Sequence, residues 1–267
     1  MAFNDVPPPH VSPLYQPVYE ATFGFAGLAW TLCYILYARE GLRTKSYGMP
    51  LFALANNFAW EMTYALYVAD AAREKTAMVI WMLIDIPIVY SLLRHGRNEW
   101  SHAPMVSRNL GKIFVLLVAL CATAHYSWAS WWMGNGIAMK SGKSYRGVEG
   151  LDPTEMAFWA VSVCQVVVST SSLAQLITRQ HTGGVSWAIW ALRFLGTFIG
   201  LNISYGWAWY TWPEAHGYFM SEPAIFLWGI TTVCDIVYAI VFAKVRRNER
   251  VLEDGRKMAP RSGGKEL

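Results

Sequence analysis

Residues 222–244 read EPAIFLWGITTVCDIVYAIVFAK, and this stretch decides the class of fold. It is long and apolar enough to cross the hydrocarbon core of a bilayer as an α-helix, which takes about 20 residues. Between its two end residues, Asp235 is the single charged side chain. Because helices satisfy their own backbone hydrogen bonds in lipid, a chain built from such segments is expected to be a helical membrane protein.

Six further segments of this kind precede the first one described. Together they give seven predicted spans, at residues 18–38, 50–70, 76–93, 110–133, 155–178, 187–210 and 222–244. The predicted fold is therefore an all-α, polytopic bundle of seven transmembrane helices. Most of the 22 Lys and Arg residues lie on the side that holds the C-terminal tail. The positive-inside rule then predicts a cytosolic C-terminus and a lumenal N-terminus.

The predicted organisation has three parts. Residues 1–17 form a Pro-rich arm, residues 18–244 form the membrane domain, and residues 245–267 form a basic, solvated, cytosolic tail. Hydrophobic residues make up 54% of the 267 residues and charged residues only 15%, which is too few to cover a soluble domain. The same figures exclude a disordered chain. The net charge of +4 comes from span ends and the tail, so no nucleic-acid partner is expected.

Five ionisable residues fall inside the predicted spans: Glu61, Asp85, His125, Arg193 and Asp235. Such residues are costly in a membrane and are candidates for function. Three acids against one permanent base leave an excess of carboxyl groups. A carboxyl group in apolar surroundings favours its neutral form, and a neutral carboxylic acid can donate a proton.

Glu61 and Asp235 have similar neighbours on their helices. Residues three or four apart share a helix face, so Asn57, Glu61 and Tyr64 form one stripe, with Trp60 beside it. In the last span the equivalent stripe consists of Trp228, Thr231, Asp235 and Tyr238. Both acids are expected near the middle of the bilayer. An interhelical hydrogen bond without a chemical role is the alternative for each acid.

The other three ionisable residues have more open roles. Asp85 precedes Pro87, and it could either reorganise the proline kink or pair with Arg193. Arg193 lies within snorkelling reach of the cytosolic end of its span, and it could form an ion pair or position the substrate. For His125 a structural role in a helix interface is favoured over a proton acceptor.

Three deep tryptophans lie near the acids: Trp60, Trp81 and Trp228. Their rings could stabilise a cation, or they could simply pack the core. No span holds two acids at helical spacing, which argues against enzymes that bind Mg-diphosphate, and no motif of a metalloenzyme is present. No metal or other cofactor is therefore expected. The four cysteines are expected to be buried apolar residues rather than disulfide partners.

Five short motifs resemble one known family. They are Ser46-Tyr47-Gly48-Met49-Pro50, Asn57-Phe58-Ala59-Trp60-Glu61-Met62-Thr63-Tyr64, Asn98-Glu99-Trp100-Ser101-His102-Ala103-Pro104, Leu192-Arg193-Phe194-Leu195-Gly196 and Asp235-Ile236-Val237-Tyr238. In order and spacing the chain resembles the fungal integral-membrane terpene cyclases of meroterpenoid and indole-diterpene biosynthesis, such as those of the pyripyropene and paxilline pathways. The motifs extend from the first loop to the last span, so the resemblance covers most of the chain.

The resemblance implies a metal-independent enzyme that protonates the terminal epoxide of a farnesyl or geranylgeranyl chain attached to a polyketide, aromatic or indole head group. Successive alkenes then trap the cation until a proton is lost. The family's two catalytic acids map onto Glu61 and Asp235. The further residues expected to bind or support the substrate are Asn57, Trp60, Tyr64, Trp81, Asp85, Arg193, Trp228 and Tyr238.

The partners expected on this basis are a lipophilic prenylated substrate and membrane lipid, in a multi-pass protein of the endoplasmic reticulum. Two alternatives stay open. In one, initiation occurs at an alkene rather than an epoxide. In the other, the protein is a seven-span transporter or receptor that uses Glu61, Asp85 and Asp235 as a proton or ion relay.

Overall fold

The structure is a computed structural model, and it describes residues 5–260. Its α-helices are α1 (Tyr15–Arg43), α2 (Leu51–Thr63), α3 (Ala72–Glu99), α4 (Pro104–Gly134), α5 (Pro153–Arg179), α6 (Trp187–Thr197), α7 (Tyr205–Thr211), α8 (Pro213–His216) and α9 (Glu222–Asn248). Helices α6 and α7 are joined by the π-helical segment Phe198–Ser204, and a 3₁₀ turn, Gly217–Met220, follows α8. The expected all-helical architecture is confirmed.

Two small antiparallel hairpins complete the described structure. The first consists of β1 (Ser144–Tyr145) and β2 (Val148–Glu149) in the long loop between α4 and α5. The second consists of β3 (Arg250–Val251) and β4 (Lys257–Met258) directly after α9. Both hairpins lie outside the long helices.

Within residues 5–260, six helices are long and apolar enough to cross a membrane: α1, α3, α4, α5, the combined helix Trp187–Thr211, and α9. The predicted second span differs from these six. Its α-helix, α2, has 13 residues and continues as the π-helical segment Tyr64–Val68. A 13-residue α-helix is shorter than a spanning helix needs, so the predicted bundle of seven spans is not confirmed. Helix α2 packs against α3, α4 and α5, and most of its residues are buried, because its neighbours surround it.

Capping residues fix where two of the helices begin. Helix α5 starts after Asp152, whose Oδ1 accepts hydrogen bonds from the backbone N–H groups of Thr154 (2.9 Å) and Glu155 (3.3 Å). Helix α6 starts after Ser186, whose Oγ accepts a hydrogen bond from Ile189 N. Both side chains satisfy N–H groups that a helix start leaves without partners. These caps set the depth at which α5 and α6 place their side chains.

A stripe of small residues lets the π-helical region approach α1 closely. A Cβ atom added to Gly196 would lie 2.7 Å from Cδ1 of Trp30, and one added to Gly200 would lie 3.1 Å from Cβ of Ala26. One turn further on, Ser204 Oγ donates a hydrogen bond to Thr22 Oγ1 at 2.9 Å. Close helix packing at this stripe is what the small residues allow. π-Helical turns often occur beside functional sites, and this one borders the cavity described below.

The N-terminal arm packs against the long loop between α4 and α5. The backbone N–H of Val6 donates a hydrogen bond to Gly142 O at 2.8 Å. The fully buried Lys143 ammonium contacts Asp5 Oδ2 at 2.6 Å and His216 Nε2 at 3.3 Å. The arm, the loop and α8 therefore close one end of the bundle together.

The described part of the C-terminal tail also has tertiary contacts. Glu249 accepts hydrogen bonds from the N–H and hydroxyl groups of Thr182, and Lys257 Nζ lies 3.0 Å from Glu249 Oε1. These contacts attach the β3–β4 hairpin to the loop between α5 and α6, while residues 246–260 themselves stay exposed or half-buried. Residues 261–267 of the tail and 1–4 of the arm lie outside the described residues. The four cysteines are free and buried, as expected.

Candidate active site

The candidate site centres on two carboxyl groups that share one amide. Asn57 Nδ2 lies 3.0 Å from Glu61 Oε1 and 3.2 Å from Asp85 Oδ2. Tyr34 Oη donates a hydrogen bond to the same Glu61 oxygen at 2.9 Å and accepts one from Asn57 at 2.8 Å. Helices α1, α2 and α3 each supply part of this group, and all four side chains are buried.

These two carboxyl groups have no cation beside them. Among residues 5–260, neither Glu61 nor Asp85 forms an ion pair with a Lys, Arg or His side chain. Two neighbouring carboxylates without a counter-charge repel each other strongly in a low-dielectric interior. The pair is therefore expected to hold at least one proton, and its protons belong to the pair rather than to either residue alone.

Each carboxyl group also keeps one oxygen without a partner. Glu61 Oε2 and Asp85 Oδ1 are buried and have no hydrogen-bond partner among the described residues. Buried polar atoms are normally paired, so unpaired atoms of this kind need an explanation. An acid that keeps one oxygen free can carry its proton there without losing an existing hydrogen bond.

A cavity lies against this group, with Tyr34 and Asn57 in its lining. Its lining is mostly apolar and rich in aromatic rings, among them Phe23, Trp30, Trp60, Trp81 and Tyr205. Cavities with apolar walls and a few polar groups are typical of small-molecule sites. The arrangement suits a lipophilic ligand.

The polar group reaches the cavity through two of its four members. Tyr34 and Asn57 line the cavity, whereas Glu61 and Asp85 lie one layer behind them. A proton can pass from Glu61 to the cavity through the Tyr34 hydroxyl, or directly after a rotation of the Glu61 side chain. The acid pair therefore lies beside a cavity whose walls are rich in aromatic rings.

Asp235 lies in a different environment. Its Oδ1 accepts a charge-assisted hydrogen bond from Arg193 Nη2 at 2.7 Å, and its Oδ2 accepts one from Ser169 Oγ at 3.1 Å. The Arg193 guanidinium also lies over the Tyr238 ring, 4.5 Å from its centroid, and its Nη1 is 3.4 Å from Tyr37 Oη. This ion pair is buried and does not line the cavity.

The structure shows which buried acid is paired with Arg193. The possible pairing of Asp85 with Arg193 is wrong, because Asp85 lies beside Asn57 and Glu61 while Arg193 is paired with Asp235. Arg193 does not snorkel, since its side chain is 1% exposed. Among the two open roles of Arg193, the structure shows the ion pair.

Some of the residues expected to support the substrate line the cavity, and others do not. Trp60 and Trp81 line the cavity. Tyr64 packs beside Trp60 with tilted rings whose centroids are 4.9 Å apart, but its hydroxyl has no partner among the described residues. Trp228 is only partly buried and stacks on Phe219 at 6.0 Å, away from the cavity lining.

His125 lies in a helix interface. Its Nε2 is 3.1 Å from Asn56 Oδ1, and Asn56 Nδ2 donates to Cys164 Sγ at 3.2 Å. These contacts link α4, α2 and α5 through neutral groups. This arrangement is the structural one that was favoured from the sequence.

Sequence reasoning missed several residues that the structure brings to these sites, among them two tyrosines and a glutamine. Tyr34 contacts Glu61, Tyr37 contacts Arg193, and Gln165 lines the cavity. Tyr34 and Tyr37 are three residues apart on α1, so one face of this helix reaches both acid sites. A polar face on the first span was the signal that could have identified the two tyrosines. Gln165 carries no such signal.

The chain is similar to known proteins over most of its length. Residues 3–248 match the family model of the Pyr4-like transmembrane terpene cyclases. Terpene cyclase ascF of Acremonium egyptiacum is 67% identical over 259 residues, covering 97% of this chain and 93% of that protein. The Pyr4-family terpene cyclase mfmH of Annulohypoxylon moriforme is 34% identical, covering 88% of this chain and 90% of that protein.

Terpene cyclase ltmB of Epichloe festucae var. lolii is 31% identical over 224 residues, covering 83% of this chain and 89% of that protein. No solved structure matches the chain. The relatives are named as cyclases, which favours an enzyme over a transporter or receptor. The chain therefore belongs to the Pyr4-like transmembrane terpene cyclases, a family of membrane enzymes that cyclise lipophilic terpenoids in fungal secondary metabolism.

Proposed function

We propose that this enzyme protonates the terminal epoxide of a farnesyl or geranylgeranyl chain on a meroterpenoid or indole-diterpene precursor, and that the resulting cation closes rings without help from a metal. The observation that carries the proposal is the Glu61–Asp85 pair, which has no cation beside it and lies against an aromatic cavity. Such a pair holds a proton in an apolar site, which is what a general acid for an epoxide requires.

Proton transfer opens the epoxide and starts the reaction. The Glu61 proton moves to the epoxide oxygen, the C–O bond at the more substituted carbon breaks, and a tertiary cation and a hydroxyl group form. The nearest alkene attacks the cation, and each ring closure moves the positive charge along the chain. Loss of a proton ends the reaction, so the product is an isomer of the substrate.

The aromatic walls are proposed to protect the cation. Trp30, Trp60 and Trp81 line the cavity, and an aromatic face stabilises a desolvated cation by about 2 kcal/mol or more. The apolar lining also keeps out water, which would otherwise capture the cation before the rings close. A chain folded against these rings is held close to the conformation in which it cyclises.

Asp235 is proposed to act on the site indirectly. Its two oxygens are occupied by Arg193 and Ser169, so it holds a charge rather than a transferable proton. The Arg193 guanidinium contacts Tyr37, one helical turn from the Tyr34 that contacts Glu61. The ion pair can therefore hold α1 in the position that sets the Tyr34 hydroxyl against Glu61. In this proposal Asp235 is a positioning residue.

The proposal includes the placement in the membrane. Helix α2 with its π-helical extension would form the seventh crossing, with the N-terminus in the lumen of the endoplasmic reticulum and the C-terminus in the cytosol. The distribution of Lys and Arg between the two ends of the bundle supports this orientation.

Product analysis in microsomes tests the function. The enzyme is given matched prenylated substrates that carry either a terminal epoxide or a terminal alkene, with two chain lengths and several head groups. We expect cyclic isomers from the epoxides and unchanged alkenes. Cyclisation of the alkenes at the same rate would contradict epoxide initiation, and pH-coupled solute uptake into liposomes without any covalent product would indicate the relay instead.

A further inference from the structure

The cavity has a second polar group, formed by Gln165 on α5 and Thr197 at the end of α6. Both side chains line the cavity and are largely buried, with exposed fractions of 7% and 5%. Thr197 Oγ1 donates a hydrogen bond to Gln165 Oε1 at 3.1 Å. Within residues 5–260, Gln165 Nε2 contacts no acceptor, so its two N–H groups remain available.

An available amide is costly in a dry, apolar cavity. Leaving a buried donor unpaired costs the desolvation of that group, so a purely hydrocarbon ligand would bind poorly beside Gln165. The conclusion does not depend on which way the amide is oriented. If the amide oxygen and nitrogen exchanged places, Thr197 would accept from Nε2 and its own hydroxyl hydrogen would become available instead.

The pair lies at some distance from the acid pair along the cavity wall. Gly196 packs against Trp30 and Ala26, which sets the depth of the adjacent Thr197 along α1. Tyr34, which contacts Glu61, lies one turn beyond Trp30. The two polar groups are therefore separated by about one to two helical turns, or about 6–11 Å. The cavity wall between them is aromatic.

We propose that the Gln165–Thr197 pair is a subsite for an oxygen atom on the head group of the substrate, either a phenolic hydroxyl or a carbonyl. The inference rests on the proposed function, in which the epoxide end of the prenyl chain meets Tyr34 and Glu61. One oxygen held at each end fixes how the chain folds between them. The pair thus selects an oxygenated head group and positions the epoxide.

Two probes test the subsite. One is a farnesylated phenol with a terminal epoxide, and the other is the same molecule without the phenolic hydroxyl. We expect the wild type to turn over the phenol with a kcat/KM about tenfold higher, since one neutral hydrogen bond to a buried group is lost with the second probe. Gln165→Met should remove this preference, mainly by raising KM for the phenol.

The companion variants separate recognition from general damage. Thr197→Val should weaken the preference in part, because the amide loses the hydroxyl that orients it, whereas Thr197→Ser should keep it. Thr170→Val is the matched control on α5, because Thr170 donates to the backbone oxygen of Val166 and does not line the cavity. It should leave the ratio between the two probes unchanged.

Binding is measured as well as turnover, by tryptophan fluorescence quenching with the Glu61→Gln protein in detergent. If the wild type cyclises neither probe, the proposed function fails, and the binding preference still decides the subsite. Equal affinity for the two probes, or an unchanged preference in both Gln165→Met and Thr197→Val, would overturn the subsite while leaving the acid site intact.

Discussion

Glu61 and Asp235 have similar neighbours in the sequence but opposite surroundings in the fold. Glu61 lies beside a second acid, Asp85, and both keep one oxygen free. Asp235 lies beside Arg193, and both of its oxygens are hydrogen-bonded. The first arrangement can store a proton next to a cavity. The second arrangement neutralises a charge in the interior of the bundle.

The difference shows that a buried acid is defined chemically by its partner. An acid paired with another acid retains a proton, and an acid paired with a guanidinium gives its proton up. Helix α1 contacts both sites, through Tyr34 at the first and Tyr37 at the second. The following experiments test whether the two acids differ in role as they differ in surroundings.

The largest effect is expected for Glu61→Gln. This change keeps the size of the side chain and removes the transferable proton, and general acids contribute about a hundred- to ten-thousandfold to a rate. Cyclic product from the epoxide probe in microsomes should fall by that factor while the protein remains folded. Glu214→Gln is the control, since Glu214 is exposed and is not part of the cavity lining. Normal cyclisation by the Glu61 variant would remove the acid from the mechanism.

Asp235→Asn should act mainly on stability. It leaves the Arg193 guanidinium buried without a counter-charge, which typically costs about 3–5 kcal/mol. The thermal midpoint in detergent should fall sharply, and activity with it.

The double change Arg193→Met with Asp235→Leu sharpens this result. It removes both charges, so stability should largely return. Activity that returns together with stability would show that neither charge takes part in the chemistry. A stable double variant that makes no product would show that the ion pair contributes to the reaction beyond stability.

Two tyrosines on one helix provide a smaller, matched comparison. Tyr34→Phe removes the hydroxyl that donates to Glu61 at 2.9 Å and lines the cavity, and we expect kcat to fall about tenfold. Tyr37→Phe removes only the longer 3.4 Å contact with Arg193, so its effect on kcat should be smaller. Initial rates with the epoxide probe measure both variants. Equal effects would mean that the Tyr34 hydroxyl contributes no more to the reaction than the Tyr37 hydroxyl does.

The smallest effect concerns the end of the bundle that the N-terminal arm closes. Burial, and next the Lys143 ammonium, hold the pKa of His216 well below its ordinary value of 6.5. The neutral ring also contacts Tyr15 Oη at 2.9 Å and Tyr218 Oη at 3.0 Å. Because the pKa of His216 is depressed in the folded protein, the neutral ring contributes fully to the free energy of unfolding above pH 6.5. This contribution is lost as the pH falls below 6.5.

The thermal midpoint of the wild type should therefore fall between pH 7 and pH 5, by about 2–4 °C for each kcal/mol lost. His216→Gln should flatten this part of the curve. Burial raises the pKa of the neighbouring Asp5, so the contribution of Asp5 to the free energy of unfolding rises as the pH falls. The difference between wild type and variant isolates His216, and parallel curves would exclude its contribution.

The sequence predicted the helical architecture well, because a membrane imposes a strong and simple rule on segment length and composition. It was less informative for α2, where 13 helical residues and a π-helical segment replace a long span. Since α2 is enclosed by other helices, its polar residues Asn57 and Glu61 belong to the interior of the bundle. Their apolar neighbours gave the same hydropathy signal as a lipid-facing span.

By itself, the sequence determined that this is a helical membrane protein and that Glu61, Asp85, Arg193 and Asp235 are buried in it. A charge in an apolar segment is visible without any fold, since its cost comes from the solvent. Only the tertiary structure decided that Asp85 meets Glu61 and that Arg193 meets Asp235. Helical periodicity tells which residues share a face of one helix, but the facing partner depends on how the helices pack and rotate against each other.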